Sequence, residues 1–297
     1  LKAYEIFHEL LGYSEFKDAT LFWLGETYLK GSDYLQAEKQ FQQLIEVYPN
    51  SEYTPQAYYS LGWTYFADDK LEEAQKILKE LLNQFPDHQF AEDALFKLGE
   101  IEYKLQNYRE AIGYFSLYAD QYPESARIAE SYFYIGEAYY YLEDFLTAIT
   151  YYAKAAQGAY DEKLTLMAKV SLGWSYLKLG KYDLAKKNLE EAAEFSKQKG
   201  IASDDVYLGL ASLYYEMKVY DQAMEAYGQL ISHFPASARL PEAYLGRANI
   251  YYQLQKYSEA VNDYQQIIAQ FSNNVTYQEI VEKAYFGLAW SYLKIGK

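Results

Sequence analysis

The sequence predicts an all-α solenoid built from stacked antiparallel helix pairs. A Leu/Ile-Gly pair recurs at a 37-residue pitch, at Leu24-Gly25, Leu61-Gly62, Leu98-Gly99, Ile135-Gly136 and Leu172-Gly173. An Ala follows each Gly after twelve residues, at Ala37, Ala74, Ala111, Ala148 and Ala185. On each side of a short polar break, apolar residues keep the three-four spacing of a helix face. A period of this size marks supersecondary units that bury surface only against their neighbours. The 297 residues therefore read as one array, although length alone would suggest about two domains.

Each repeat divides into a helix A and a helix B. In the third, Phe90 to Leu105 carries Ala94, Leu95, Leu98 and Ile101 on one face. Gln106-Asn107 breaks the pattern, and Tyr108 to Tyr122 resumes it with Ala111, Ile112, Phe115 and Tyr118. Pro123 ends helix B, because proline lacks an N–H and disfavours helix in the residue before it. Pro49, Pro86 and Pro235 hold the equivalent place. Pro55 and Pro241 fall in the first turn of helix A, where the missing N–H would be unpaired anyway, and Thr54 reads as the N-cap beside Pro55. The repeated glycine costs about 1 kcal/mol relative to alanine inside a helix. Its recurrence implies a close approach of helix A to helix B, with the facing Ala leaving room. In later repeats Ala211, Ala248 and Ala289 replace the Gly.

The ends read as cut repeats: residues 1–14 as a lone helix B, 15–280 as seven helix pairs, and 281–297 as a lone helix A. Phe7 and Trp290 in the end helices, and a start at Leu1, suggest a fragment of a longer protein. Three junctions depart from the pitch: Gln157–Lys163, Ser196–Asp205 with Gly200, and Ser272–Gln278. Each is either drift without consequence or a change of solenoid curvature, or a hinge at Gly200.

Composition excludes several classes. The net charge of −15 argues against nucleic acid and anionic membrane surfaces, which call for basic stripes. The chain has no cysteine, which removes disulfides, thiolate catalysis and Cys metal sites. His8, His88 and His233 fall in different repeats without metal-ligand spacing. No nucleophile elbow, phosphate loop or dinucleotide fingerprint appears. Asp68-Asp69, Glu72-Glu73 and Asp204-Asp205 read as helix-start carboxylates that complement the helix dipole. No catalytic residue, metal or cofactor is expected.

The small and large positions of the second repeat, Leu61, Gly62, Tyr65, Ala74, Leu78, Leu81 and Pro86, resemble the tetratricopeptide repeat family over essentially the whole chain. That resemblance implies a right-handed superhelical solenoid that binds other proteins. Tyr48-Pro49-Asn50-Ser51, Tyr122-Pro123-Glu124-Ser125 and Phe234-Pro235-Ala236-Ser237 are similar to the bacterial envelope-associated subset, such as TolA-binding coordinators and the outer-membrane assembly lipoprotein. A periplasmic or outer-membrane-associated location follows from it, with the cytoplasm as the alternative. The Lys and Asn of the family's carboxylate clamp are absent, since Phe22, Glu26, Tyr59 and Trp63 stand at those positions.

Tyrosine is abundant, at 37 residues, and most of it repeats at core positions. A further set shares one face of helix A, the face that lines the family's concave groove: Phe22, Tyr59, Phe96 and Phe133 three residues before the Gly/Ala position; Glu26, Trp63, Glu100, Glu137, Trp174 and Trp290 one after it; Tyr103, Tyr140, Tyr215 and Tyr252 four after it. Two readings stay open, a partner-binding groove or packing between neighbouring helices A. The groove would hold an extended or helical segment of another protein, with Glu26, Glu100 and Glu137 selecting Lys or Arg. A glycan-associated scaffold in polysaccharide export or peptidoglycan machinery is the second function considered, since sugars also stack on aromatic faces. Neither nucleic acid nor membrane insertion is expected.

Overall fold

The computed structural model describes residues 16–296, together with residues 2 and 5–7. The lone helix B expected over 1–14 lies largely outside the described residues. Contacts group the chain into two compact units, Leu1–Glu143 and Asp144–Lys297. The first holds α1 (Lys17–Lys30), α2 (Tyr34–Val47), α3 (Thr54–Ala67), α4 (Leu71–Gln84), α5 (Ala91–Lys104), α6 (Tyr108–Gln121) and α7 (Ile128–Tyr141). The second holds α8 (Phe145–Gly158), α9 (Glu162–Lys178), α10 (Tyr182–Lys199), α11 (Asp204–Glu216), α12 (Tyr220–His233), α13 (Leu240–Gln253), α14 (Tyr257–Phe271), a 3-10 turn (Val275–Tyr277) and α15 (Gln278–Ile295). Within each unit every helix packs on the next, and each helix A also touches the following helix A. The described residues form an all-α repeat array.

Each turn from helix A to helix B is a Schellman closure. In α1, the Ser32 N–H donates to the Leu29 carbonyl at 3.0 Å and the Asp33 N–H to the Tyr28 carbonyl at 2.9 Å. These bonds satisfy the carbonyls left open at a helix end. The closing residue sits in the left-handed region at Ser32, Asp69, Gln106, Glu143, Lys218 and Gln255, with glycine there only at Gly180. Asp68 and Asp69 thus stand at a helix C-terminus, not at a helix start, and are neutralised by Lys70 at 2.9 Å and Lys104 at 2.7 Å.

The turn from helix B into the next helix A is tied by the serine of the Tyr-Pro-x-Ser motif. The Ser51 hydroxyl donates to Asp18 at 2.6 Å and accepts the Tyr53 N–H at 3.2 Å. The Ser125 hydroxyl donates to Glu92 at 2.6 Å and accepts the Arg127 N–H at 3.1 Å. Ser237 bonds Asp204 and accepts the Arg239 N–H at 2.8 Å. One side chain therefore ties the residue before a new helix to the first turn of the preceding helix A. Its hydroxyl holds the Asp18 carboxyl below the usual carboxylate range. Thr54 does not cap α3: it lies inside the helix, and its hydroxyl donates to the Tyr48 carbonyl at 2.7 Å.

The repeated glycines make room for one large side chain in the middle of helix B, four residues beyond the recurring Ala. A methyl group added at Gly25 would lie 2.6 Å from the Phe41 ring, and one at Gly99 would lie 2.8 Å from the Phe115 ring. Leu78 fills the same place over Gly62, and Leu189 over Gly173. The room is thus demanded by the ring or leucine, not only by the facing Ala. From α11 onward a different glycine does the work. Gly209, Gly246 and Gly287 stand two residues before Ala211, Ala248 and Ala289, and admit Leu189, Tyr227 and Tyr264 from the preceding helix B. Each mid-helix side chain is a wedge between its own helix A and the next one. All of them are buried.

Replacing Gly99 with Leu would overpack the Phe115 wedge and should cost about 1–3 kcal/mol. An unchanged thermal midpoint for Gly99→Leu would refute this packing.

Candidate functional site

The aromatic and acidic stripe on the helices A is set by the wedges beneath it. In the first unit it resolves into three layers. The residues three before the glycine are core: Phe96 is fully buried, and Phe22 and Phe133 nearly so. The residue that starts the next helix A covers them. Tyr53 stacks on Phe22 with ring centroids 5.4 Å apart, Phe90 on Tyr59 at 4.8 Å, and the Arg127 guanidinium lies 3.4 Å above the Phe96 ring.

The second layer, one residue after the glycine, meets the residue two before the glycine of the next repeat. Ser60 donates to Glu26 at 2.6 Å. Lys97 is buried, with its ammonium 3.7 Å from the Trp63 ring centroid and 4.4 Å from that of Phe66. Burying an ammonium requires a partner; here Glu100 supplies the charge and the two rings supply π faces. Arg127 also reaches Glu130 at 2.9 Å and Glu100 at 3.8 Å. The third layer holds Tyr103 and Tyr140, both half-buried, and the Tyr103 hydroxyl donates to Glu137 at 3.3 Å. Burial, with the nearby Glu137 carboxylate, raises the Tyr103 pKa strongly and keeps it a donor. Glu26, Glu100 and Glu137 thus each have partners within the chain.

In the second unit Trp174, Tyr215 and Tyr252 are half-buried and Trp290 is exposed. Tyr215 accepts the Gln253 amide at 3.1 Å, and Tyr252 meets Tyr257 edge to face. In the last three helices A of this unit a glycine, Gly209, Gly246 or Gly287, stands two before the repeat's small position. The hydroxyl ends of Tyr227 and Tyr264 rise beside Gly246 and Gly287. They bond Ser212 and, at 2.8 Å, Asn249.

Two features were missed in the sequence. Trp23 stands two before Gly25 and is 47 % exposed, more than Trp63 at 37 %. Lys97 occupies the same register and anchors Trp63. A hydrophobic-face count passes over both, because the position alternates among Trp23, Ser60, Lys97 and Gly246. Among the described residues no group of three or more His, Asp or Glu could hold a metal, and no helix is long and apolar enough to cross a membrane.

Family models of the tetratricopeptide repeat match residues 93–125, 127–198, 205–237 and 241–274. The chain belongs to the tetratricopeptide repeat family. A model described as an outer membrane lipoprotein, YfiO, matches residues 14–99. Solved structures with the same fold include a tetratricopeptide repeat protein from Parabacteroides merdae, 16 % identical, with a TM-score of 0.68 over 90 % of this chain and 98 % of the other. The C-terminal part of a repeat-containing protein from Cytophaga hutchinsonii is 21 % identical, with a TM-score of 0.62 over 90 % and 99 %. Pseudomonas aeruginosa pilF is 17 % identical, with a TM-score of 0.57 over 80 % and 97 %. No curated protein sequence matches the chain. Tetratricopeptide repeats imply a protein–protein interaction scaffold, typically without catalytic activity.

Burial pushes the hydroxyls of Tyr134, Tyr140, Tyr227 and Tyr264 each up to about 12. In the unfolded chain a tyrosine ionises near pH 10. Their contribution to stability is full below about pH 10 and is lost as pH rises towards 12. The thermal midpoint of this repeat protein should fall steeply across that window, and a flat profile would contradict the burial of these hydroxyls.

Proposed function

We propose that this chain is a non-enzymatic scaffold that holds segments of another protein against exposed, tryptophan-bearing faces of helices A in each of its units. One observation carries the reading. Three of the four tryptophans, Trp23, Trp63 and Trp290, stand on helices A with more than a third of their surface in water. Tryptophan buries large area at low entropy cost and anchors interfaces. Trp63 also roofs the buried Lys97 ammonium, whereas Trp23 and Trp290 meet the rings of Phe22 and Phe286 on their own helices.

The binding surface in this reading is narrower than the stripe in the sequence. Phe22, Phe96 and Phe133 support it from beneath. Glu26, Glu100 and Glu137 act mainly by fixing its shape, so that selection of a basic partner rests on the overall charge of −15. A site at the bacterial envelope, associated with the outer membrane, is supported by the outer membrane lipoprotein model over residues 14–99.

The test is a triple substitution, Trp23→Ala, Trp63→Ala and Trp290→Ala, assayed by crosslinking to interacting proteins in extract of the native organism. The variant should lose a specific protein while its thermal midpoint drops far less than for Phe96→Ala, a buried ring whose loss costs about 3–5 kcal/mol. Undiminished crosslinking by the folded variant would reject these tryptophan-bearing faces as the binding surfaces.

A further inference from the structure

The second unit contains a cleft of about 740 Å³ between α13 and α15, within the size range of ligand sites, about 300–1,000 Å³. Its walls are Leu245, Tyr252, Phe286 and Trp290, and its floor is Tyr264 with Asn249. Phe286 and Trp290 meet edge to face at 6.1 Å. Gly287 lets the end of the Tyr264 ring reach the floor of the cleft. In the first unit the equivalent register is filled by Ser60 against Glu26 and by Lys97 against Trp63.

The polar floor has a direction. The Tyr264 hydroxyl donates to the Asn249 carbonyl oxygen at 2.8 Å. This fixes the amide so that its NH2 is the group left to donate. At the rim, Glu279 and Glu282 face Lys283 and Lys294. Two carboxylates and two ammoniums cancel, and Lys283 is already paired with Glu279 at 2.6 Å. A charged side chain would gain no net attraction there and would lose its hydration against the aromatic walls.

We propose that this cleft seats an uncharged aromatic residue of an extended partner segment, its ring among Tyr252, Phe286 and Trp290 and its backbone carbonyl on the Asn249 amide. The proposal rests on the scaffold reading above and adds a seat and the chemistry of its occupant. Carbonyl capture by a fixed amide, rather than carboxylate capture by lysine, suits a segment running through the site instead of ending in it.

The test uses the four indole N–H resonances of the intact chain, one for each tryptophan. The probe is the capped pentapeptide acetyl-Gly-Gly-Phe-Gly-Gly-amide, with the Lys analogue and an N-acetylglucosamine tetramer as comparisons. The Phe peptide should shift the Trp290 indole saturably at millimolar concentration, and the comparison probes should shift it much less. Asn249→Asp keeps the acceptor for Tyr264 but removes the donor, and should weaken the Phe peptide by roughly tenfold. A Trp290 signal that does not move overturns the proposal, as does one that responds equally to the Lys peptide or moves only with the sugar. Equal affinity in the folded Asn249→Asp variant also overturns it. A shift confined to Trp23 or Trp63 overturns this cleft and leaves the scaffold reading standing.

Discussion

The structure depends on one repeated constraint: a large side chain in the middle of each helix B must lie between two helices A. In Phe41, Leu78, Phe115 and Leu189 the wedge presses on the glycine of its own helix A. In Tyr227 and Tyr264 it presses on a glycine of the next one. Close packing leaves no slack for an added methyl group at either place. A glycine inside a helix loses about 1 kcal/mol against alanine, and the burial of an aromatic or leucine side chain, about 1.5–3 kcal/mol, outweighs that loss. Cohesion along the array is therefore carried by a series of local wedges, as expected when stability is a sum of nearest-neighbour terms.

The choice of wedge also decides what the face of the helices A can offer. An apolar wedge ends beneath the surface, and polar or charged residues can then close the layer above it. In the first unit this yields the Glu26–Ser60 bond and the Lys97 ammonium under Trp63. A tyrosine wedge is longer and carries a hydroxyl that calls for a polar partner, and at Tyr227 and Tyr264 the ring end also lies against a glycine of the next helix A. Ser212 and Asn249 meet that need. The same period thus gives a sealed face in one unit and a cleft in the other.

Much of this was legible in the sequence. The pitch, the helix-ending prolines and the helix boundaries follow from local chemistry: α5 and α6 start and stop within a residue or so of the apolar pattern. The Leu-Gly pairs marked the close contact correctly but not its cause, because the wedge that needs the gap lies sixteen residues away in the sequence. The shift from Gly173 to Gly209, Gly246 and Gly287 was read as a loss of glycine; it is a change of which helix yields. The stripe of Phe, Tyr, Trp and Glu was found as a set. Its division into core rings, paired carboxylates and exposed tryptophans depends on contacts between residues about one repeat apart, and helical spacing within one helix does not report those.

The most direct measurement is a double-mutant cycle on Tyr227 and Gly246 by denaturant unfolding. In the native background Gly246→Ala would drive a methyl group into the Tyr227 ring, and stability should fall. In a Tyr227→Ala background the gap is empty, so the same substitution should be neutral or stabilising by up to about 1 kcal/mol, the helix preference of alanine over glycine. Equal destabilisation in both backgrounds would mean that Gly246 is not there for the wedge, and the account of how this array holds together would fail.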